Sequence, residues 1–308
     1  MRITHRMMVD NAIQNMSENL EKVSKLQGKL STGKQFQVAS EDPARASVSL
    51  SLKSNLRTLE SYADTAETAK NWMTVTDNAL GELGDIGIRA MHLILRGIND
   101  TFSGSERAAT MAVEMQDLLN QAVELGNTSV NDQYIFAGYQ VNAKAFELVA
   151  SATALLDYQG NPFTPKVVNY LGDAGVMQRT LGPDQSVALN VRGDQAINGL
   201  LQNLILATNA LKQNDTVSLQ NILTNLRSSL DIMDQYRASN GARLRQAESA
   251  ADFLETMKIE TQSLLSRNED INMAEGISLL ANQQTTYEAV LEVSRRAVSA
   301  LSLFDYLK

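Results

Sequence analysis

The apolar residues at both ends of this chain keep a seven-residue frame, and that frame dictates how the ends can fold. From Val9 they fall at Val9, Ile13, Met16, Leu20, Val23 and Leu30. Near the other end they fall at Ile277, Leu280, Tyr287, Leu291, Val298 and Leu301. Steps of three, four and seven put such residues along one side of an α-helix, the seam of a coiled coil. A lone amphipathic helix is marginal in water, so each end requires a partner helix. The two ends can serve each other, and the same ends of neighbouring molecules can serve both. Ile13, Met16, Leu20, Val23, Ile277, Leu280, Leu291, Val298 and Leu301 are therefore the expected subunit-interface residues. Assembly, not chemistry, is the expected task.

The composition agrees. With 308 residues the chain can form two domains or one elongated body. Hydrophobic residues make up 44% but aromatics only 5%, a mix that suits helix–helix seams better than a large β core. The net charge is -8, from 27 basic and 35 acidic residues, with no basic cluster. That balance argues against nucleic acid or an anionic membrane surface as partner. No run of about 18 apolar residues is present, so no transmembrane helix is expected. Met1–Asp10 is not followed by the apolar run of a signal peptide, so export would need a route that removes none. There is no cysteine. A chance absence and a disulfide-free life outside the cell explain that equally well.

The middle of the chain is different. Pro162, Pro165 and Pro183 lie close together, and Tyr134, Phe136, Tyr139, Phe146, Tyr158, Phe163 and Tyr170 are seven of the 16 aromatics. Strand-like runs at Phe146–Val149, Leu155–Tyr158, Lys166–Leu171, Val176–Leu181 and Val187–Val191 are separated by Gly, Asn, Asp and Pro turn signals. They predict a β-rich domain at 142–194 inserted in a helical rod domain of 43–141 and 195–267. Residues 1–42 and 268–308 form the terminal coiled-coil domain. Asp42-Pro43 suits an N-cap with a first-turn proline. Gly84 and Gly241 are candidate breaks in the two longest helices. The expected fold is mainly α: an elongated rod of long coiled-coil helices from both termini, with a small inserted β-rich domain.

Sites of chemistry are scarce. Gly28-Lys29-Leu30-Ser31-Thr32-Gly33-Lys34 nearly matches a phosphate-binding loop. However, Gln35 stands where the magnesium-binding hydroxyl belongs, and the run follows a helix, not a strand. A flexible joint between helical domains explains it better. His5 and His92 are the two histidines, and they lie apart. No Cys/His zinc site can form, and neither histidine adjoins a nucleophile motif. Glu41/Asp42 and Glu269/Asp270 flank breaks in the helical pattern, where capping and solvation suffice. No catalytic, cofactor-binding or metal residue is expected. Asn15-Met16-Ser17 and Asn127-Thr128-Ser129 match the glycosylation sequon, a pattern that arises readily by chance. Gln283 and Gln284 interrupt the last stripe. A buried amide there would fix helix register; an exposed one would not.

The local sequences also carry a resemblance. Leu30-Ser31-Thr32-Gly33-Lys34 with Ser40-Glu41-Asp42-Pro43-Ala44 resembles the N-terminal signature of bacterial flagellins. Glu275-Gly276-Ile277, Gln283-Gln284-Thr285-Thr286-Tyr287-Glu288-Ala289 and the ending Leu301–Leu307 resemble the flagellin C-terminus. Within that superfamily, Tyr134-Ile135-Phe136-Ala137-Gly138-Tyr139 and Leu303-Phe304-Asp305-Tyr306-Leu307 look like the hook–filament junction family, hook-associated protein 3. The resemblance implies an extracellular structural protein of the flagellum, exported by the type III route. It would stand between hook-associated protein 1 and flagellin, in a ring of its own copies. An export chaperone would shield its C-terminal helix. The implied alternative is a filament flagellin that polymerises by itself. A membrane translocator or sensor finds no span in this sequence, and a hydrolase in the β insert would need an acid or nucleophile lining a pocket there.

Overall fold

The fold is that of a computed structural model, which describes residues 5–99 and 102–306; at 5, 6, 8, 9 and 297–306 only the helical backbone is described. Helix α1 spans His5–Thr32 and α2 spans Pro43–Ile98. A single turn, α3 (Gly104–Glu106), and a π-helical turn (Arg107–Met111) lead into α4, Ala112–Gly126. Eight short strands follow: β1 Ser129–Val130, β2 Gln133–Tyr134, β3 Phe146–Ala150, β4 Leu155–Leu156, β5 Pro162–Phe163, β6 Lys166–Tyr170, β7 Gln178–Gly182 and β8 Gln185–Ala188. Helices α5 (Gly193–Ala196), α6 (Asn198–Gln213), α7 (Thr216–Glu269) and α8 (Met273–Tyr306) complete the chain. It is mainly α, with long helices from both ends and a small β-rich region between them.

The chain divides into two compact units, 1–58 with 257–308, and 59–256. In the second unit, α2 and α7 run antiparallel. Asn240 Nδ2 donates to the Met73 carbonyl at 2.8 Å, and Arg237 pairs with Asp77 at 3.3 Å. Both helices pass unbroken through the glycines that suggested breaks. Gly81, Gly84 and Gly87 stand instead where Arg237, Met233 and Leu230 of α7 press on α2; a Cβ at Gly87 would lie 2.4 Å from Leu230 Cδ2. Close helix approach, not bending, accounts for these glycines. Leu219, Leu226, Met233, Asn240, Ala247 and Leu254 form a buried line at seven-residue steps along α7.

The β-rich region consists of four two-stranded antiparallel ribbons, β1–β2, β3–β6, β4–β5 and β7–β8. None has a hydrophobic face large enough to be stable alone. The ribbon β3–β6 rests on α4 and α6, and its Phe146 is fully buried. Phe136 and Ala137 are buried beneath it, and the chain turns at Gly138 with φ +72°. A Cβ at Gly138 would fall 2.5 Å from the Asp173 carbonyl oxygen, so only glycine fits there. Tyr170 donates its hydroxyl to the Phe136 carbonyl at 2.9 Å. Burial, then the nearby Asp194 and Asp173 carboxylates, pushes its pKa up to about 12. At the turn between α2 and α4, the buried Arg107 donates to the Gly97 and Asn99 carbonyls and to Asn214 Oδ1.

Candidate assembly interface

Helices α1 and α8 pack on each other within the first unit. They are antiparallel, because the end of α1 and the start of α8 are tied together. Ile271 N donates to the Gly33 carbonyl, and Gln35 N donates to the Glu269 carbonyl. The seam on α1 is Ala12, Met16, Asn19, Val23, Leu26 and Leu30; the seam on α8 is Gly276, Leu280, Gln283, Tyr287, Val290 and Ser294. Both follow alternating steps of four and three, the geometry of a coiled coil. Met16, Val23, Leu280 and Tyr287 of the sequence-derived stripes face inward. Leu30 faces inward as well, whereas Ile13, Leu20, Ile277 and Leu291 do not. Ile13 is 59% exposed, Leu20 51%, Ile277 56% and Leu291 37%. Val298 and Leu301 lie outside the described side chains.

Each stripe is thus split between two faces. Consecutive residues on a helix point about 100° apart, and the inward line runs through the position just before Ile13, Leu20, Ile277 and Leu291. Those positions carry Ala12, Asn19, Gly276 and Val290; the first three are small or polar residues that a hydrophobicity pattern passes over. Gln283 and Gln284 separate in the same way. Gln283 is half-buried and donates to Asn19 Oδ1 at 2.9 Å, whereas Gln284 is exposed. The outward apolar line has no partner of its own among the described residues of the unit. Leu279 and Val293, 50% and 66% exposed, lie on the opposite flank of α8.

The base of this helix pair is a charged clasp. Lys34 Nζ lies 2.7 Å from Asp270 Oδ1 and 3.2 Å from Glu269 Oε2, and Lys53 Nζ lies 2.5 Å from Glu269 Oε1. Asn268 Nδ2 donates to the Arg45 carbonyl and to Ser49 Oγ. Burial pushes the Glu269 carboxyl up, but hydrogen bonds from Lys53, Lys34 and Ser49 outweigh it and hold the group below its usual range. The Lys34 bond, with Ser266, lowers Asp270. Asp270 in turn raises Lys34. Helix α2 then starts as its sequence suggests, with Asp42 Oδ1 accepting from Arg45 N at 3.0 Å just before Pro43. The joint expected to be flexible is tethered on both sides, because its turn residues pair with the second helix break.

The clasp also disposes of the phosphate-loop resemblance. Gly28–Thr32 is helical, and the Lys34 ammonium is engaged by two carboxylates. In the second unit, one open hollow of about 410 Å³ is lined by Glu82, Asp85, Ile86, Gln121, Glu124, Leu125 and Thr128. A second, of about 420 Å³, is lined by Asn120, Val123, Glu124, Asn127, Tyr134, Lys144 and Leu148. Neither contains a histidine or an aligned nucleophile and base. No group of three His, Cys, Asp or Glu able to hold a metal ion occurs among the described residues. No described helix is long and apolar enough to cross a membrane. The Asn127 side chain is engaged by Phe146, donating to its carbonyl and accepting from its N–H.

Comparison with known proteins agrees with this arrangement. Residues 3–141 match the model of the bacterial flagellin N-terminal helical region. Flagellar hook-associated protein 3 of Salmonella typhimurium is 25% identical over 302 residues, covering 94% of each chain. A flagellin of Clostridium tyrobutyricum is 26% identical over 72% of this chain and 63% of its own length. A putative flagellar hook-associated protein from Vibrio parahaemolyticus shares the fold, with a TM-score of 0.63 at 13% identity over 75% of this chain and all of that one. The seven-residue frame, the tethered joint and the Phe-Ala-Gly turn at Gly138 stand on a chain that matches the flagellin N-terminal helical region over residues 3–141, is similar along its length to hook-associated protein 3, and is a structural component of the flagellum.

Proposed function

We propose that this chain is the adaptor that joins hook-associated protein 1 to the flagellin filament. One observation carries the reading: Ile13, Leu20, Ile277 and Leu291 stay exposed at heptad spacing on an otherwise packed helix pair. Such a line finds cover only against another helix of the same kind. In this reading residues 1–42 and 268–308 assemble with neighbours in a ring of copies. Residues 43–141 and 195–267 form the helical support, and 142–194 the β insert. Val298 and Leu301, further along the α8 stripe, are counted in this proposed interface. The chain leaves the cell by type III export without a cleaved signal peptide, and a chaperone covers α8 beforehand.

Imaging of cells that lack the chain tests this directly. Hooks without filaments, with flagellin released unassembled, are expected; normal filaments would overturn the adaptor role. The likeness to a Clostridium flagellin supports a second reading, in which the chain polymerises alone. Electron microscopy of the purified chain under polymerising conditions separates the two. Long filaments favour a flagellin, and their absence without neighbours favours the adaptor.

A further inference from the structure

Every other inward position of the α1–α8 seam offers its neighbour carbon, apart from Ser294 and the hydroxyl of Tyr287. Asn19 and Gln283 do not. Gln283 Nε2 donates to Asn19 Oδ1 at 2.9 Å, and Asn19 Nδ2 donates to the Asn15 carbonyl at 2.7 Å. That second bond holds the Asn19 amide so that its oxygen faces α8. Both residues are half-buried.

We infer that Asn19 and Gln283 form a register pin, which specifies how α1 pairs with α8 of its own chain. A slip of one heptad would set Asn19 against Gly276 or Val290, and Gln283 against Ala12 or Leu26. A slip of half a heptad would set Gln283 against Met16 or Val23. Each alternative places a half-buried amide against carbon, which costs free energy because its hydrogen bonds are lost. A polar residue at a core position of a coiled coil selects register in this way. Steric fit selects the same register: a Cβ at Gly276 would stand 2.8 Å from Leu30 Cδ2, so Leu30 needs glycine opposite it. The pin matters because the outward stripes could otherwise recruit either helix into a wrong pairing. Ile13, Leu20, Ile277 and Leu291 gain as much from a slipped neighbour as from the correct one.

The chain lacks cysteine, so single spin labels can be placed without background. Labels at exposed Lys22→Cys and Glu288→Cys report one distance across the pair, in the full chain with trimethylamine oxide present to favour the packed state. One heptad of slip moves a label by about 10 Å along the helix. The parent chain is expected to give one narrow distance. Asn19→Leu/Gln283→Leu is expected to give two or more, and the exchanged pair Asn19→Gln/Gln283→Asn to return to one. The pin is overturned if the Leu/Leu chain keeps a single distance as narrow as the parent's, or if the parent itself shows several. Assembly with neighbours plays no part in this measurement, so its failure leaves the adaptor role standing.

Discussion

Replacing Glu269 with Gln isolates the contribution of the clasp. The Glu269 side chain is only 7% exposed and faces Lys34 at 3.2 Å and Lys53 at 2.5 Å. Removing one partner of a fully buried ion pair costs about 3–5 kcal/mol. Here both lysines are nearly half exposed, at 43% and 47%, so water screens the pair. The amide also keeps one acceptor oxygen, which reduces the expected loss to about 1–2 kcal/mol. Hydrogen exchange at Gln35 and Ile271 reads this locally, because their N–H groups donate to the Glu269 and Gly33 carbonyls. Protection there should fall by a factor of roughly 5–30 at neutral pH. The sign of the pH dependence follows from the lowered Glu269 and Asp270 groups. An unfolded chain binds their protons more readily, so their contribution is complete above about pH 4–5 and drains away as pH falls through the folded values. Lys34 is raised, so its share is lost only at alkaline pH, above about 10. In the Gln variant the acid loss should shrink to the part due to Asp270. Unchanged protection at Gln35 and Ile271 in the variant would refute a stabilising clasp.

Other substitutions separate assembly from folding. Leu20→Asp and Ile277→Asp should change the free chain's stability by less than about 0.5 kcal/mol, since both sites are exposed. In the assembly each removes about 1 kcal/mol of apolar burial, half of a full Leu or Ile, and buries a charge besides. Loss of motility with an unchanged thermal melt is expected, and normal motility would count against the interface. Phe136→Ala, at a fully buried site, should cost about 3–5 kcal/mol in denaturant melts of the free chain. Gly138→Ala should destabilise by more than about 2 kcal/mol, as it combines a left-handed φ with a clash against Asp173 backbone.

Much of this was legible in the sequence because periodicity reports burial. The long helices, the Asp42-Pro43 start and the strands at Phe146 and Lys166 all follow from local pattern. What the pattern missed is physically consistent. Asn19, Gln283, Gly276 and Ala12 are inward because a packed seam tolerates small residues and paired amides, which no hydrophobic count registers. Asn240 escaped for the same reason. The glycines of α2 read as breaks because propensity ignores the partner helix that needs their missing side chains. Strands β1, β2 and β5 are two residues each and carry no alternation to detect. The clasp joins residues more than 200 positions apart, and only the meeting of the two helix breaks reveals it.

Hydrogen exchange along α1 and α8, compared between the dilute free chain and the chain bound at isolated hooks, tests most directly whether neighbours complete the fold of the ends. Beyond the clasp, fast exchange in the free chain and strong protection in the bound chain are expected, with the largest gain around Ile13, Leu20, Ile277 and Leu291. Slow exchange through both helices in the free chain, unchanged on binding, would contradict it.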